Sequence, residues 1–318
     1  MEIYKQYIDG ILKDDKKSIA RSITLIENEN GASDDLLKEL FKYTGKAFRI
    51  GITGPPGAGK SSLTNCLVKL LVQRNLKIGV IAVDPTSPFT GGALLGDRIR
   101  MQEVGSLNGV FIRSMATRGS LGGLSRKVVE VCDIFDAAGK DFIIIETVGV
   151  GQSELDVATT ADTTLVVLVP ESGDAIQAMK AGLMEIANIF VLNKSDREGA
   201  DGVAATIKNI IHLKPPSEDK WTVNVLKTVG SLNKGVEELL DEIFKHKNHL
   251  MESGFLKKKR KNNLRNKIFE LVNNKLHSKF WDENRKRILE EKIEEMYDRH
   301  FDPYSFVKCI VDYSKSGQ

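Results

Sequence analysis

Apolar residues come in short continuous blocks along much of this chain. From residue 46 to about 250 the blocks are Phe48–Thr53, Ile78–Val83, Val110–Ile112, Phe142–Ile145, Thr164–Val169, Ile189–Leu192 and Thr222–Leu226. Between most of them the apolar positions fall three and four apart, clearest over Ser62–Leu71, Leu124–Ala138 and Ile176–Ile186. Runs that are apolar throughout suit strands covered on both faces. The pattern therefore predicts an α/β fold, with a mostly parallel sheet under helices on both sides. A ligand of such a sheet lies beyond the carboxyl ends of its strands, and the polar motifs of this chain sit there.

The flanks read differently. Residues 1–45 carry helical stripes: Ile8, Ile11 and Leu12, then Ile19, Ile23 and Ile26 beside Leu25. A break over Asn28–Ser33 precedes another helix over Asp34–Phe41, so this segment predicts an N-terminal helical arm. The central domain spans 46–250. Over 251–318 a basic cluster, Lys257–Lys261, opens long charged helices with two apolar stripes. Leu264, Ile268, Leu271, Val272 and Leu276 form the first, and Ile288, Leu289, Ile293, Met296 and Tyr297 the second. Asp302-Pro303 has the form of an N-cap followed by a first-turn proline. Stripes that helices cannot bury alone call for a partner surface, and a homodimerisation segment is the expectation.

Composition narrows the class. The 318 residues carry 46 basic and 43 acidic side chains, a net charge of +3, which demands neither nucleic acid nor an anionic membrane as partner. No apolar stretch approaches a membrane span, and the first residues lack a signal-peptide core. Cys66, Cys132 and Cys309 are far apart with no C-x-x-C spacing, so reduced core or near-core thiols in a cytoplasmic protein are expected.

Residues 54–61 read Gly-Pro-Pro-Gly-Ala-Gly-Lys-Ser, a fit to G-x-x-x-x-G-K-[ST] between a strand and a helix. That order aims successive backbone N–H groups of Gly54, Pro55, Pro56, Gly57, Ala58, Gly59, Lys60, Ser61 and Ser62 (the prolines excepted) and a helix N-terminus at one phosphate site. Lys60 would reach the β- and γ-phosphates and Ser61 would hold Mg²⁺. Asn193-Lys194-Ser195-Asp196 follows the run Ile189–Leu192. A carboxylate at Asp196 accepts two hydrogen bonds from the N1–H and N2–H₂ edge of guanine, whereas adenine would leave it desolvated and unpaired. Asn193 would touch the other edge, with the stem of Lys194 over the ring. Glu146-Thr147-Val148-Gly149 ends another strand as a D-x-x-G variant with Glu for Asp. Glu146 can hold Mg²⁺, and the N–H of Gly149 can approach the γ-phosphate. Asp84 ends the strand Lys77–Val83, the next one after the helix that follows the octet, and Asp97 follows in Gly96-Asp97-Arg98. Both carboxylates should face metal or attacking water. The residue after Gly149 is Val150, with Gln152 two positions later, so unaided hydrolysis should be slow. Arg98, Arg113 and Arg118 are candidates for stabilising charge. His246 and His249 read as a surface pair.

These motifs, with Arg21–Glu27, Val83–Ser87, Thr90–Arg98, Gly119–Leu124, Glu146–Glu154, Gly173-Asp174, Gln177, Lys180 and Asp302-Pro303-Tyr304, resemble the MeaB/ArgK-type GTPases over nearly the whole chain. The resemblance implies a P-loop NTPase that binds GTP/GDP with Mg²⁺ and chaperones an adenosylcobalamin-dependent acyl-CoA mutase, most often methylmalonyl-CoA mutase. It implies metal-site roles for Ser61, Asp84, Asp97 and Glu146, and catalytic roles for Lys60 and those three acids. It also implies a switch segment over Gly173–Lys180 and a C-terminal dimer arm. Relatives carry Ser-Ala-Leu in the last nucleotide loop, where this chain has Val229-Gly230-Ser231. A nickel-insertion GTPase and a P-loop kinase are the alternatives.

Overall fold

The computed structural model describes residues 3–28, 31–85, 102–117, 123–147, 153–171, 182–213 and 218–313. They form two compact units, Met1–Lys259 and Arg260–Gln318.

The first unit is built on seven strands: β1 (Phe48–Thr53), β2 (Ile78–Pro85), β3 (Val110–Thr117), β4 (Phe142–Thr147), β5 (Thr163–Leu168), β6 (Ile189–Leu192) and β7 (Asn224–Lys227). All pair in parallel, in the order β3-β2-β4-β1-β5-β6-β7. Every residue of β4 and β5 is buried, which is what continuous apolar runs require. The strand order reverses at β1. The crevice this creates lies where the glycine-rich octet leaves the sheet.

Ten α-helices of this chain begin before residue 253 among the described residues: α1 (Ile3–Leu12), α2 (Lys16–Glu27), α3 (Ala32–Leu40), α4 (Lys60–Gln73), α5 (Gln102–Gly105), α6 (Gly123–Ala137), α7 (Ser153–Thr160), α8 (Leu183–Ile186), α9 (Ala200–His212) and α10 (Val236–Glu252). They cover both faces of the sheet. On one side Phe48, Ile50 and Ile52 of β1 pack with Leu63 and Leu67 of α4 and with Leu239 and Ile243 of α10. On the other, Ile81, Val83, Ile143 and Ile145 pack with Val131 and Phe135 of α6. A third cluster joins Val166, Leu168, Phe190 and Leu192 to Ala204 and Ile207 of α9.

The N-terminal helices share the second of these cores. Ile11, Ile19, Ile23, Ile26, Leu36 and Leu40 are all buried there, each worth roughly 1.5–3 kcal/mol on full burial. Polar ties fix the same helices. The Lys140 ammonium meets Asp14 at 2.7 Å, and Lys127 Nζ donates to Glu27 O at 2.9 Å. The turn into β1 is held by Asp136, a buried carboxylate near the end of α6. Its Oδ2 accepts from Gly45 N at 2.7 Å, and its Oδ1 accepts from Lys46 N at 3.1 Å and Ala47 N at 3.0 Å.

The second unit holds most of α11 (Phe255–Phe280), then α12 (Glu283–Tyr297) and α13 (Pro303–Asp312). Asp282 and Asp302 cap α12 and α13, accepting from Arg285 N at 2.9 Å and Ser305 N at 2.8 Å. Arg285 lies 4.7 Å over the Phe280 ring and donates to Tyr313 O at 2.7 Å. Leu264, Ile268, Phe269, Val272, Leu276, Ile293 and Tyr297 remain exposed, while Phe306 and Ile310 are its buried apolar side chains among the described residues.

Candidate nucleotide site

The octet leaves β1 through backbone conformations that favour glycine. Gly54, Gly57 and Gly59 have φ of 137°, 76° and 85°. At Gly54 the need is steric as well: a Cβ would stand 2.1 Å from Val167 O of β5. The loop then runs into α4, whose first residues are Lys60 and Ser61. Lys60 is buried, and its ammonium donates to Gly54 O at 2.6 Å and Pro55 O at 2.9 Å. That holds the charge against the beginning of the loop. Ser61 Oγ donates to Glu146 Oε1 at 2.5 Å. Glu146 is fully buried one residue before the end of β4.

A hydroxyl and a carboxylate side by side are hard oxygen donors of the kind Mg²⁺ prefers, so the donor set fits that ion. Asp84 lies on β2, the strand next to β4, two positions beyond the Ala82↔Glu146 register pair. Its backbone therefore enters the same end of the sheet. The Asp84 side chain, Asp97, Gly149, Arg98, Arg118 and Gly173–Lys180 lie outside the described residues.

The loop expected to read the base follows β6. Asn193 is buried and joins three segments. Its Nδ2 donates to Ala58 O in the phosphate loop at 2.8 Å, and its Oδ1 accepts from Gly230 N at 3.0 Å and Thr228 Oγ1 at 3.1 Å. The fit is close enough that a Cβ on Gly59 would stand 2.3 Å from Asn193 Nδ2. Lys194 turns the chain with φ 55°, and Ser195 N donates to Thr228 O at 3.0 Å. Asp196 is exposed on that turn, and Ser231 is exposed on the loop opposite. The adjoining Arg197 forms an ion pair with Glu171.

At Val229-Gly230-Ser231, where the chain departs from the expected Ser-Ala-Leu, the backbone is tied into the same network. Gly230 N is fixed by Asn193, and Gly230 O accepts from Cys66 Sγ of α4 at 3.3 Å. Sequence reasoning did not assign Thr228 or Cys66 to this network. Thr228, a polar residue just past the last strand, was the available signal; a thiol at a helical position gave none.

Several expectations need correction. Arg113 is committed elsewhere: its guanidinium forms an ion pair with Glu27 of α2. Cys309 is an exposed thiol, neither core nor near-core, whereas Cys132 is buried and its thiol is pushed up to about 12, chiefly by burial. His246 is fully buried and His249 partly so, both against Trp221, with ring centroids 4.7 and 5.4 Å away. His246 Nδ1 pairs with Thr163 Oγ1 at 2.7 Å, and His249 Nε2 with Asp219 O at 2.7 Å. Among the described residues no group of three or more His, Cys, Asp or Glu side chains is arranged to hold a metal ion.

Burial lowers His246 from 6.5 to about 4, so the folded protein keeps the ring neutral. The unfolded chain takes up that proton first as pH falls. This contribution to stability is therefore intact above pH 6.5 and lost between there and about 4. Its full size is about 3 kcal/mol. Chemical denaturation at pH 7 and pH 4.5 should show a smaller acid loss for His246→Gln than for the native chain. Equal losses would show that the ring does not titrate as described.

The MeaB family model, methylmalonyl-CoA mutase-associated GTPase, matches residues 19–285. A Pyrococcus horikoshii protein with a GTPase name is 51% identical over 263 residues, 82% of this chain and 83% of that one. The GTPase ArgK of Escherichia coli is 37% identical over 253 residues, 77% of this chain and 76% of that one. The mouse methylmalonic aciduria type A homolog, mitochondrial, is 34% identical over 268 residues, 79% of this chain and 65% of that one. The crystal structure of an LAO/AO transport system kinase superposes with a TM-score of 0.72 at 28% identity, covering 97% of this chain and 96% of that one. Because the family match runs through the phosphate loop, the Glu146 strand and the base-reading loop alike, the chain belongs to the MeaB family and is a GTPase.

Proposed function

We propose that the chain is a Mg²⁺-dependent GTPase that chaperones an adenosylcobalamin-dependent acyl-CoA mutase, methylmalonyl-CoA mutase foremost, gating the loading or exchange of its cofactor. The observation that carries the nucleotide chemistry is Asn193, which ties Ala58 of the phosphate loop to Gly230 of the base loop. Phosphate and guanine are thereby read as one ligand.

Lys60 and the loop N–H groups bind the phosphates, and Asp196 accepts from the guanine edge. Ser61, Glu146, Asp84 and Asp97 hold Mg²⁺, which when bound neutralises charge developing on the β- and γ-phosphates. No glutamine directly follows Gly149, so turnover is slow until a partner completes the site. The exposed apolar stripes of α11 and α12 support a homodimer built through the second unit. Three free thiols support a cytoplasmic setting.

The test is affinity capture of the tagged full chain from its native host, comparing GTP- and GDP-loaded forms, beside phosphate release from GTP and ATP. Recovery of a cobalamin-dependent mutase in a nucleotide-dependent manner supports the proposal. Its absence in both forms, with the mutase present in the lysate, overturns the chaperone role. Preference for ATP with phosphate appearing on an acceptor would make the chain a kinase.

A further inference from the structure

The sheet has a seam. On one side of the β4–β1 boundary stand β2 and β4, which carry Asp84 and Glu146. On the other stand β1 and β6, which lead into the phosphate loop and the base-reading loop. The Ser61–Glu146 pair therefore spans two halves of the fold.

The backbone ladder across that seam ends at Ile52↔Glu146. One position further on, each strand pairs outward: Thr53 with Val166 of β5, and Thr147 with Val83 of β2. The next residue of the β1 chain is Gly54, already turned away at φ 137°. A side-chain bond crosses where the ladder stops. Thr147 Oγ1 donates to Thr53 Oγ1 at 3.2 Å, with both residues fully buried. Two β-branched side chains in such surroundings have few rotamers open to them, and burial makes loss of either hydroxyl partner costly.

We propose that this threonine pair is a positioning device. It fixes the distance between the phosphate loop and the strand bearing Glu146, and so sets the register in which Ser61 and Glu146 meet a divalent cation. The Thr147 hydroxyl is directed to Thr53, so the residue acts through Glu146, its chain neighbour. The proposal deepens the Mg²⁺-GTPase reading above and rests on it.

The experiment follows release of a fluorescent GDP analogue from the full chain while Mg²⁺ is titrated, with a matched series in EDTA. In Thr147→Val, which keeps shape and removes the hydroxyl, the Mg²⁺ concentration for half-maximal nucleotide retention should rise about tenfold, the worth of one buried hydrogen bond. Affinity in EDTA should change less than about twofold, since the phosphate and base loops are untouched. Thr147→Ser should restore the native titration. Thr53→Val breaks the same bond from the other strand and should reproduce the shift; it also serves if Thr147→Val does not fold. The double variant should be no worse than either single one.

A Mg²⁺ midpoint unchanged in both valine variants overturns the proposal. So does Thr147→Ser behaving like Thr147→Val, which would assign the effect to the methyl group. Failure of the reading beneath it is distinct: the native chain would then hold the analogue equally with and without Mg²⁺.

Discussion

Lys60→Ala should bind GTP at least about 100-fold more weakly than the native chain, because a charged donor to phosphate is worth roughly 1.5–3 kcal/mol per hydrogen bond and Lys60 can make more than one. The position makes the loss hard to repair. Lys60 is buried, held at the first turn of α4, and no other lysine among the described residues occupies the loop. The same change removes two bonds to Gly54 O and Pro55 O, so the loop itself loses a clamp. Lys60→Arg should not rescue fully, since a planar fork does not fit where a compact ammonium sits between two carbonyls. Calorimetric titration with GTP checks this directly. Undiminished binding by Lys60→Ala would remove the phosphate loop from the nucleotide site.

The largest stability loss should come far from the nucleotide, at Asp136→Ala. Three consecutive backbone N–H groups, of Gly45, Lys46 and Ala47, donate to this one carboxylate. Removing it takes the charged acceptor from the buried Ala47 N–H, while the exposed Gly45 and Lys46 can turn to water, at a cost of about 2–4 kcal/mol when an unsatisfied buried donor costs roughly 1–3. That is a large fraction of the stability of an ordinary domain, roughly 5–15 kcal/mol. Asp136→Asn should recover part of the loss, because one oxygen can still accept while the amide faces a donor. Urea unfolding of the three proteins provides the check. A midpoint for Asp136→Ala indistinguishable from native would show that water replaces the carboxylate without cost.

The sheet and the motif octet were legible because both are local. Strands such as Phe142–Thr147 and Ile189–Leu192 are apolar throughout, and their positions in the chain follow from that alone. The ends of strands were less visible. The apolar signal of β3 stops at Ile112, yet the strand continues to Thr117, because Arg113 pairs with Glu27 across space and Met115 is buried. The N-terminal stripe of Ile19, Ile23 and Ile26 was visible as periodicity, but not the surface it covers. The ties that organise the site were invisible for the same reason: Thr53 and Thr147 are 94 residues apart, and Asn193 and Ala58 are 135 apart. His246 read as a surface residue because its helix is largely charged; its burial depends on Trp221 and Thr163, which no periodicity connects to it.

The first three helices bear on how this enzyme can be dissected. They lie before the octet in sequence, which invites treating them as a removable appendage. Yet Val131 and Phe135 of α6 rest beneath them, and Arg113 and Lys127 both reach Glu27. Shortening the chain from its amino end does not isolate a minimal catalyst; it uncaps an oily surface, and insoluble protein is the outcome to look for.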